Sequence, residues 1–505
     1  MINLIISSFT NAHLLRFLSV QNSAFVGYEQ DLSELIQGYE KFQNLVKIGE
    51  IEYKNTDKLL VFTCKYLGEL TSRSSRKNQY DIAKKALKED FKDGAVFVFY
   101  DEAGRFRFSF IRRNFGDKTN KYTPWKRYTY FVEPDAQTNR TFIERIGSCT
   151  FESLDAIQEA FSVEKLTKDF YKELSNWYFW AIKNVSFPNN VNDNTDDEQY
   201  NSENIIRLIT RLIFVWFLKQ KNLVKPELFQ VEALTSILKN FEPESDTNHQ
   251  YYRAILQNLF FATLNQEIGH RSFAEDKGFL ENRKTYSIKS LYRYENEFQK
   301  GTTQALELFS EIPFLNGGLF ECLDNKQRDG KVFDWDGFSR NPKHQAKIPN
   351  SLFFAKEMMV DLSGEYNDKK MKSVKVSGII EILSRYNFTI EENTPVEIEV
   401  ALDPELLGKV FENLLGAFNP ETQETARKQT GSFYTPREIV HYMVDESLVS
   451  YFKTKVPEVD EETLRLLLSY DEQEVTLSEQ LKEKLIQATF DCKILDPACG
   501  SGAFP

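Results

Sequence analysis

The sequence has little of what builds small stapled or metal-bound folds. Its five cysteines, Cys64, Cys149, Cys322, Cys492 and Cys499, are scattered and form no CxxC pair. That spacing argues against a zinc site and against a disulfide framework, and it fits a reducing cytoplasm. Histidine is scarce, with five residues in 505. No two prolines are adjacent. Net positive charge is lacking too: 63 Lys and Arg stand against 75 Asp and Glu, a formal net charge of −12. A chain this acidic does not coat itself on nucleic acid by bulk attraction, so any nucleic-acid surface must concentrate its cations locally. Long apolar runs are missing as well. The start, Met1–Val20, is broken by Asn11, His13 and Arg16 and has no basic leader segment. The most apolar later stretch, Leu208–Leu218, contains Arg211 and is too short to span a bilayer. The expectation is a cytoplasmic protein with no membrane partner.

What the chain does have is aromatic bulk: 42 Phe and 23 Tyr, enough for large cores. Its length suggests about three domains. The expected fold class is an α/β N-terminal domain over 1–160, a mainly α-helical middle domain over 161–425, and the start of a Rossmann-like α/β domain over 426–505. In the first region Lys58–Lys65, Ala95–Tyr100, Phe106–Ile111 and Arg127–Val132 are rich in β-branched and aromatic residues and read as strands. Asn78–Leu87 between them has a helical period. In the second, Leu166–Val185 and Glu203–Leu218 place apolar residues at three- and four-residue steps. Pro188–Asn204, Asp324–Gly337 and Asn341–Asn350 read as loops. In the third, Pro436–Ser450 reads as a helix, Glu458–Ala488 as an acidic helix-prone connector and Lys493–Leu495 as a short strand.

That strand leads into Asp496-Pro-Ala-Cys-Gly-Ser-Gly-Ala-Phe504. An apolar strand would deliver Asp496 to its carboxyl end. Pro497 has no amide proton and ends strand pairing. Gly500 and Gly502 permit positive φ and let a ligand approach the backbone. Spaced glycines alone are equally a plain strand-to-helix turn. The whole run is more specific. It resembles motif I of the amino-group DNA methyltransferases, in the gamma order of adenine-specific enzymes. Upstream, Thr430-Gly-Ser-Phe-Tyr-Thr-Pro-Arg-Glu-Ile-Val440 has Thr435 as a helix cap, Pro436 at the first helical position and Glu438 at capping-box spacing. By itself that is a well-capped helix. Placed about sixty residues before motif I, it resembles motif X of the same family. The stretches Arg211–Leu218, Pro313–Glu321 and Leu402–Leu415 resemble the helical region of type IIG restriction–modification enzymes, as scaffold.

The resemblance implies S-adenosylmethionine as cofactor, double-stranded DNA as partner and methyl transfer to the adenine amino group. It implies a cofactor pocket shaped by Phe433, Tyr434, Thr435, Asp496, Pro497, Ala498, Cys499, Gly500, Ser501 and Gly502, with Asp496 near the ammonium. Cys499 would be packing, since the methyl group passes directly to the base. The family's acceptor motif, Asn/Asp-Pro-Pro-Tyr/Phe, holds a flipped adenine, and this sequence contains no Pro-Pro pair. No catalytic residue is therefore assigned. The chain reads as a truncated portion of such an enzyme, inactive alone, which needs the remainder of its polypeptide for catalysis.

Two other readings arise in the first domain. Arg73, Arg76, Lys77, Lys84, Lys85 and Lys88 cluster near one helix. Arg105, Arg107, Arg112, Arg113, Lys118, Lys121, Lys126 and Arg127 interleave with Phe106, Phe108, Phe110, Tyr122 and Trp125. Such a tract is a candidate DNA surface, and it is equally a solvated face of a sheet. It would make the chain a non-catalytic DNA-binding or assembly fragment. Glu52-Tyr53-Lys54 has the ExK spacing of a metal-dependent nuclease, with Asp57, Glu69 or Asp81 as a further acid and Mg²⁺ as its cofactor. Chance charges at a strand edge give the same pattern.

Overall fold

The computed structural model describes residues 1–495 except 56, 91–92, 114, 117–120, 123, 189–196, 275–288, 316–317, 325, 329–330, 391–392, 395, 404–436 and 470–474. The protein is α/β, with a mixed seven-stranded sheet and many helices. Two compact units divide the chain. The first holds Met1–Leu166 and the described residues of Arg385–Glu405 and Phe433–Pro505; the second holds Thr167–Ser384.

The first unit opens with helices α1 (Ile2–Ser7) and α2 (Asn11–Gln21). Strands β1 (Phe25–Asp31), β2 (Phe42–Glu52) and β3 (Lys58–Tyr66) form an antiparallel meander. Helix α3 (Arg76–Asp90) then crosses over to β4 (Gly94–Tyr100), which runs parallel to β3. A crossover of this kind needs a dozen or more residues, and α3 supplies them. Next, β5 (Phe106–Arg112) pairs antiparallel with β4; a two-residue pair, β6 (Phe115–Gly116) and β7 (Lys121–Tyr122), leads to β8 (Lys126–Val132) beside β5. The seventh strand, Glu397–Glu399, lies parallel to β8 at the sheet edge and comes from much later in the chain. The strands expected over 58–65, 95–100, 106–111 and 127–132 and the helix over 78–87 are all present.

β3 and β4 are buried almost throughout because both faces of the sheet are covered. On one face Leu60, Phe62, Cys64, Ala95, Phe97 and Phe99 pack with Ile82, Ala83, Ala86 and Leu87 of α3. On the other, Phe106, Phe108 and Tyr130 ring Phe142 of helix α4 (Asn139–Ile146). Phe108, Phe110 and Tyr130 also ring Phe161, which follows helix α5 (Leu154–Ala160).

Three helices, Arg437–Lys455, Glu461–Leu468 and Glu479–Phe490, share a small core of Val449, Phe452, Val456, Val459, Leu464 and Ala488. Asp460 and Ser478 cap the last two by accepting from Thr463 N and Leu481 N. Lys493–Leu495 is not the expected strand. It carries no pairing, and Ile494 and Leu495 are 69% and 88% exposed. A strand is stabilised only by neighbours, and among the described residues none lies beside it.

In the second unit helix α6 (Val163–Asn184), α7 (Asp197–Gln220) and the π-helix Tyr251–Leu264 dominate. Every residue of that π-helix except Arg253 is buried. Leu208–Leu218 lies in α7, buried apart from Phe214. Among the described residues no helix is long and apolar enough to cross a membrane. Asp324–Gly337 is not a simple loop: it contains an antiparallel ribbon, β9 (Lys326–Arg328) and β10 (Lys331–Phe333).

Candidate functional site

The basic, aromatic-interleaved tract is turned inward. β5 and β8 alternate, so Phe106, Phe108 and Phe110 take one face and Arg107 and Ser109 the other, opposite Phe131 and Thr129. Arg107 and Arg127 are 2% and 0% exposed. Arg107 donates to Gln79 Oε1 at 2.7 Å and to the carbonyls of Thr71 at 2.9 Å and Ser72 at 2.7 Å, so it pins the loop that enters α3. Arg127 Nη2 donates to Glu397 Oε1 at 2.6 Å, and Arg76 Nε reaches the same oxygen at 2.5 Å. Arg76 Nη1 also donates to Glu399 Oε2 at 3.3 Å. Among the described residues Arg127 Nε and Nη1 find no hydrogen-bond acceptor. Burial lowers the Arg107 pKa to about 9, and burial lowers that of Arg127 as well. For Glu397 burial pushes upward, but Arg127 and Arg76 outweigh it and hold the carboxyl below its ordinary value. At Glu399 burial wins over Arg76 and Arg107, and the pKa is raised.

This is an architectural array that ties the edge strand and α3 to the sheet. The candidate DNA surface accordingly loses its central members. Arg105 is engaged by Asp101 and Glu69, Arg112 by Asp155, and Arg113 lies over the Trp125 ring. Phe106, Phe108, Phe110 and Trp125 are core. Lys118 and the side chains of Lys121 and Tyr122 lie outside the described residues. On α3, Lys77, Lys85 and Lys88 are exposed, and Lys85 sits over the Tyr39 ring.

The ExK acids do not converge. Glu52 ends β2, its side chain 64% exposed and bridged to Lys58 at 3.2 Å, while Lys54 lies in the following turn. Asp57 accepts from Asn55 Nδ2. Glu69 follows the far end of β3, roughly 26 Å away at about 3.3 Å per residue, and bonds Arg105. Asp81 lies on α3 beside Lys84. A Mg²⁺ ion needs oxygens a few ångströms apart, so these residues do not fit one.

Among the described residues the one cluster of acids and thiol close enough to share a cation is Cys322, Asp324 and Asp336. Its oxygens are already taken by donors. Asp324 Oδ1 accepts the amides of Trp335 and Asp336 at 2.7 Å and of Gly337 at 3.0 Å, and Oδ2 accepts that of Phe338 at 2.7 Å. Asp336 accepts Arg211 Nη1 at 2.8 Å, Arg207 Nη2 at 3.0 Å and Leu323 N at 2.7 Å. A cation would face N–H protons and two guanidiniums, so the chemistry of this cluster is that of a clamp. Burial and the Asp336 charge raise the Asp324 pKa, while burial at Asp336 is outweighed by Arg211 and Arg207, which lower it. Gly337 has φ +65°, and a Cβ there would stand 2.4 Å from Ala346 N. Sequence reasoning missed this clamp; the turn-forming Asp-Trp-Asp-Gly at 334–337 was its only signal.

The expected cofactor residues, Phe433, Tyr434, Thr435 and Asp496 through Gly502, all lie outside the described residues. So do Pro404–Leu415 and the capping side chain of Glu438. What is described flanks them: the helix Arg437–Lys455 begins directly after one segment, and the exposed Lys493–Leu495 leads into the other. No protein-family model, curated protein or solved structure matches the chain.

Proposed function

We propose that this chain carries the cofactor-capturing segments of an S-adenosylmethionine-dependent, adenine-specific DNA methyltransferase of restriction–modification type. One observation carries the reading: the run Asp496–Phe504, with its acid, proline and two spaced glycines, follows the motif X-like Thr430–Val440 at family spacing. A carboxylate at the head of a glycine-bearing bend suits a zwitterionic amino-acid cofactor, because the acid attracts the ammonium and the bend leaves backbone amides open to it. The helix that starts at Arg437 agrees with motif X leading into a helix. The sequence contains no Pro-Pro pair, so no residue here is assigned to holding a flipped adenine, and the role read into this chain is cofactor capture.

Titration calorimetry of the full chain with S-adenosylmethionine tests this. Saturable uptake that disappears in Asp496→Ala, with an unchanged melting temperature, is the expected result. No uptake by the unaltered chain refutes the reading.

A further inference from the structure

Two guanidiniums lie diagonally across the sheet on its α3 side. β5 and β8 pair Ser109 with Thr129, and Arg107 and Arg127 stand two residues from that pair at opposite ends. Residues two apart and residues directly opposed share a face, so all four take the same one. Glu397 and Glu399 join them, being paired with Arg127 and Thr129. Ser109 and Thr129 are short. Their hydroxyls meet at 2.9 Å and form a floor between the two long cations. When one hydroxyl donates to the other, the second still has a proton to give.

The charges here do not balance. Among the described residues three guanidiniums, Arg76, Arg107 and Arg127, face two carboxylates, Glu397 and Glu399. Arg76 and Glu397 form a pair at the rim, with side chains each 19% exposed. Deeper in, Arg107 and Arg127 are set against Glu399 alone, and all three are buried. Arg107 donates only to neutral acceptors, Gln79 Oε1 and the carbonyls of Thr71, Ser72 and Ser74. One positive charge is thus left over where water cannot screen it, which is strongly unfavourable. Donors are in surplus as well. Nε and Nη1 of Arg127 find no acceptor among the described residues, and the Tyr80 ring, 5.8 Å away, offers only a weak attraction. Surplus charge and idle donors in one buried array are both answered by a bound ion.

We propose that the Ser109–Thr129 floor between Arg107 and Arg127 binds one halide-sized monovalent anion, such as chloride, taken up from solution. Burial sets the size: neither floor residue nor either arginine is more than 4% exposed, which leaves an organic acid no path for its tail. The single surplus charge sets the valence, since a sulfate or phosphate dianion would overshoot it. A spherical ion also suits the donors, because both terminal nitrogens of Arg107 are engaged and that residue adds charge alone. The ion completes the array that ties α3 and the edge strand to the sheet, and it is independent of the cofactor reading.

The test follows thermal unfolding of the full chain at fixed ionic strength, with gluconate, an anion too large to enter, exchanged stepwise for chloride. The melting temperature is expected to rise by a few degrees and then level off, as binding to the folded state alone requires. Bromide should act alike, and crystals grown in bromide should give an anomalous peak in contact with the Arg127 guanidinium. Ser109→Asp supplies a carboxylate from the chain itself. It is expected to abolish the halide response and to melt in gluconate at least as high as the unaltered chain does. A melting temperature that ignores chloride overturns the proposal, and so does a halide response that survives in Ser109→Asp. A bromide crystal with only a water at the array overturns it too. If Ser109→Asp does not fold, the bromide peak decides.

Discussion

Asp336→Asn removes the charge from a buried carboxylate that two guanidiniums hold. Asp336 is 2% exposed and Arg211 3% exposed, with 2.8 Å between their closest atoms. Arg207, the second partner, is 26% exposed, so water softens its share. Taking one partner from a buried pair leaves an uncompensated charge and costs about 3–5 kcal/mol. Domains have only about 5–15 kcal/mol in total, so the second unit should come close to unfolding. Four of the five tryptophans, Trp177, Trp180, Trp216 and Trp335, lie in that unit, so urea denaturation followed by fluorescence reports on it. A double-mutant cycle with Arg211→Met then isolates the pair and is expected to give a coupling of about 2 kcal/mol, within the range known for contacting residues. Acid supplies an independent check. The Asp336 pKa is depressed in the fold, so its contribution is present above the ordinary carboxylate value and is lost as pH falls through the folded value. The gap between wild type and Asp336→Asn should therefore narrow below about pH 4. A coupling near zero, or a gap that does not shrink in acid, refutes the assignment of this cluster as a charged clamp.

Glu397→Gln should destabilise the first unit by about 3 kcal/mol, because two guanidiniums share one of its oxygens; chemical denaturation followed by far-ultraviolet circular dichroism measures it. Gly337→Ala is expected to lower the melting temperature by several degrees, since φ is positive and Ala346 N blocks the new methyl; calorimetric scans decide, and an unshifted midpoint contradicts the geometry. Glu52→Ala and Lys54→Ala should leave the melting temperature within about a degree or two, and incubation of the unaltered chain with plasmid and Mg²⁺ should give no nicking; cleavage lost in either variant would reinstate the nuclease.

The central strands were legible because Leu59–Phe62 and Val96–Phe99 are continuous apolar runs, which local pattern reads directly. The edge strand was not. Glu397-Ile-Glu399 is three residues with two acids, and nothing local says that they belong beside Arg127. The buried arginines misled for a related reason. Alternation along Phe106–Phe110 shows that the three Phe take the face opposite Arg107, yet it cannot show that α3 covers the Arg107 face too. The ribbon within Asp324–Gly337 hid behind its length, since two three-residue strands carry too little pattern to rise above a loop. As for the cofactor residues, only the sequence addresses them, through the uncommon density of Pro, Cys and Gly at 497–502.

The edge strand also bears on how the molecule is made. Arg127 and its acceptor Glu397 are 270 residues apart. At a synthesis rate of about 5–20 residues per second, the interval between them is roughly 14–54 seconds. During that time the nascent sheet offers an open edge at β8, and Arg127 and the Arg76 of α3 have yet to meet their acids. Both are invitations to wrong pairing. Maturation of the first-made unit thus waits on a strand that emerges only after nearly all of a second unit has been synthesised. A fragment cut at residue 166 would stay in that interim state, which predicts clumping on expression and recovery when a peptide spanning 385–403 is supplied in trans.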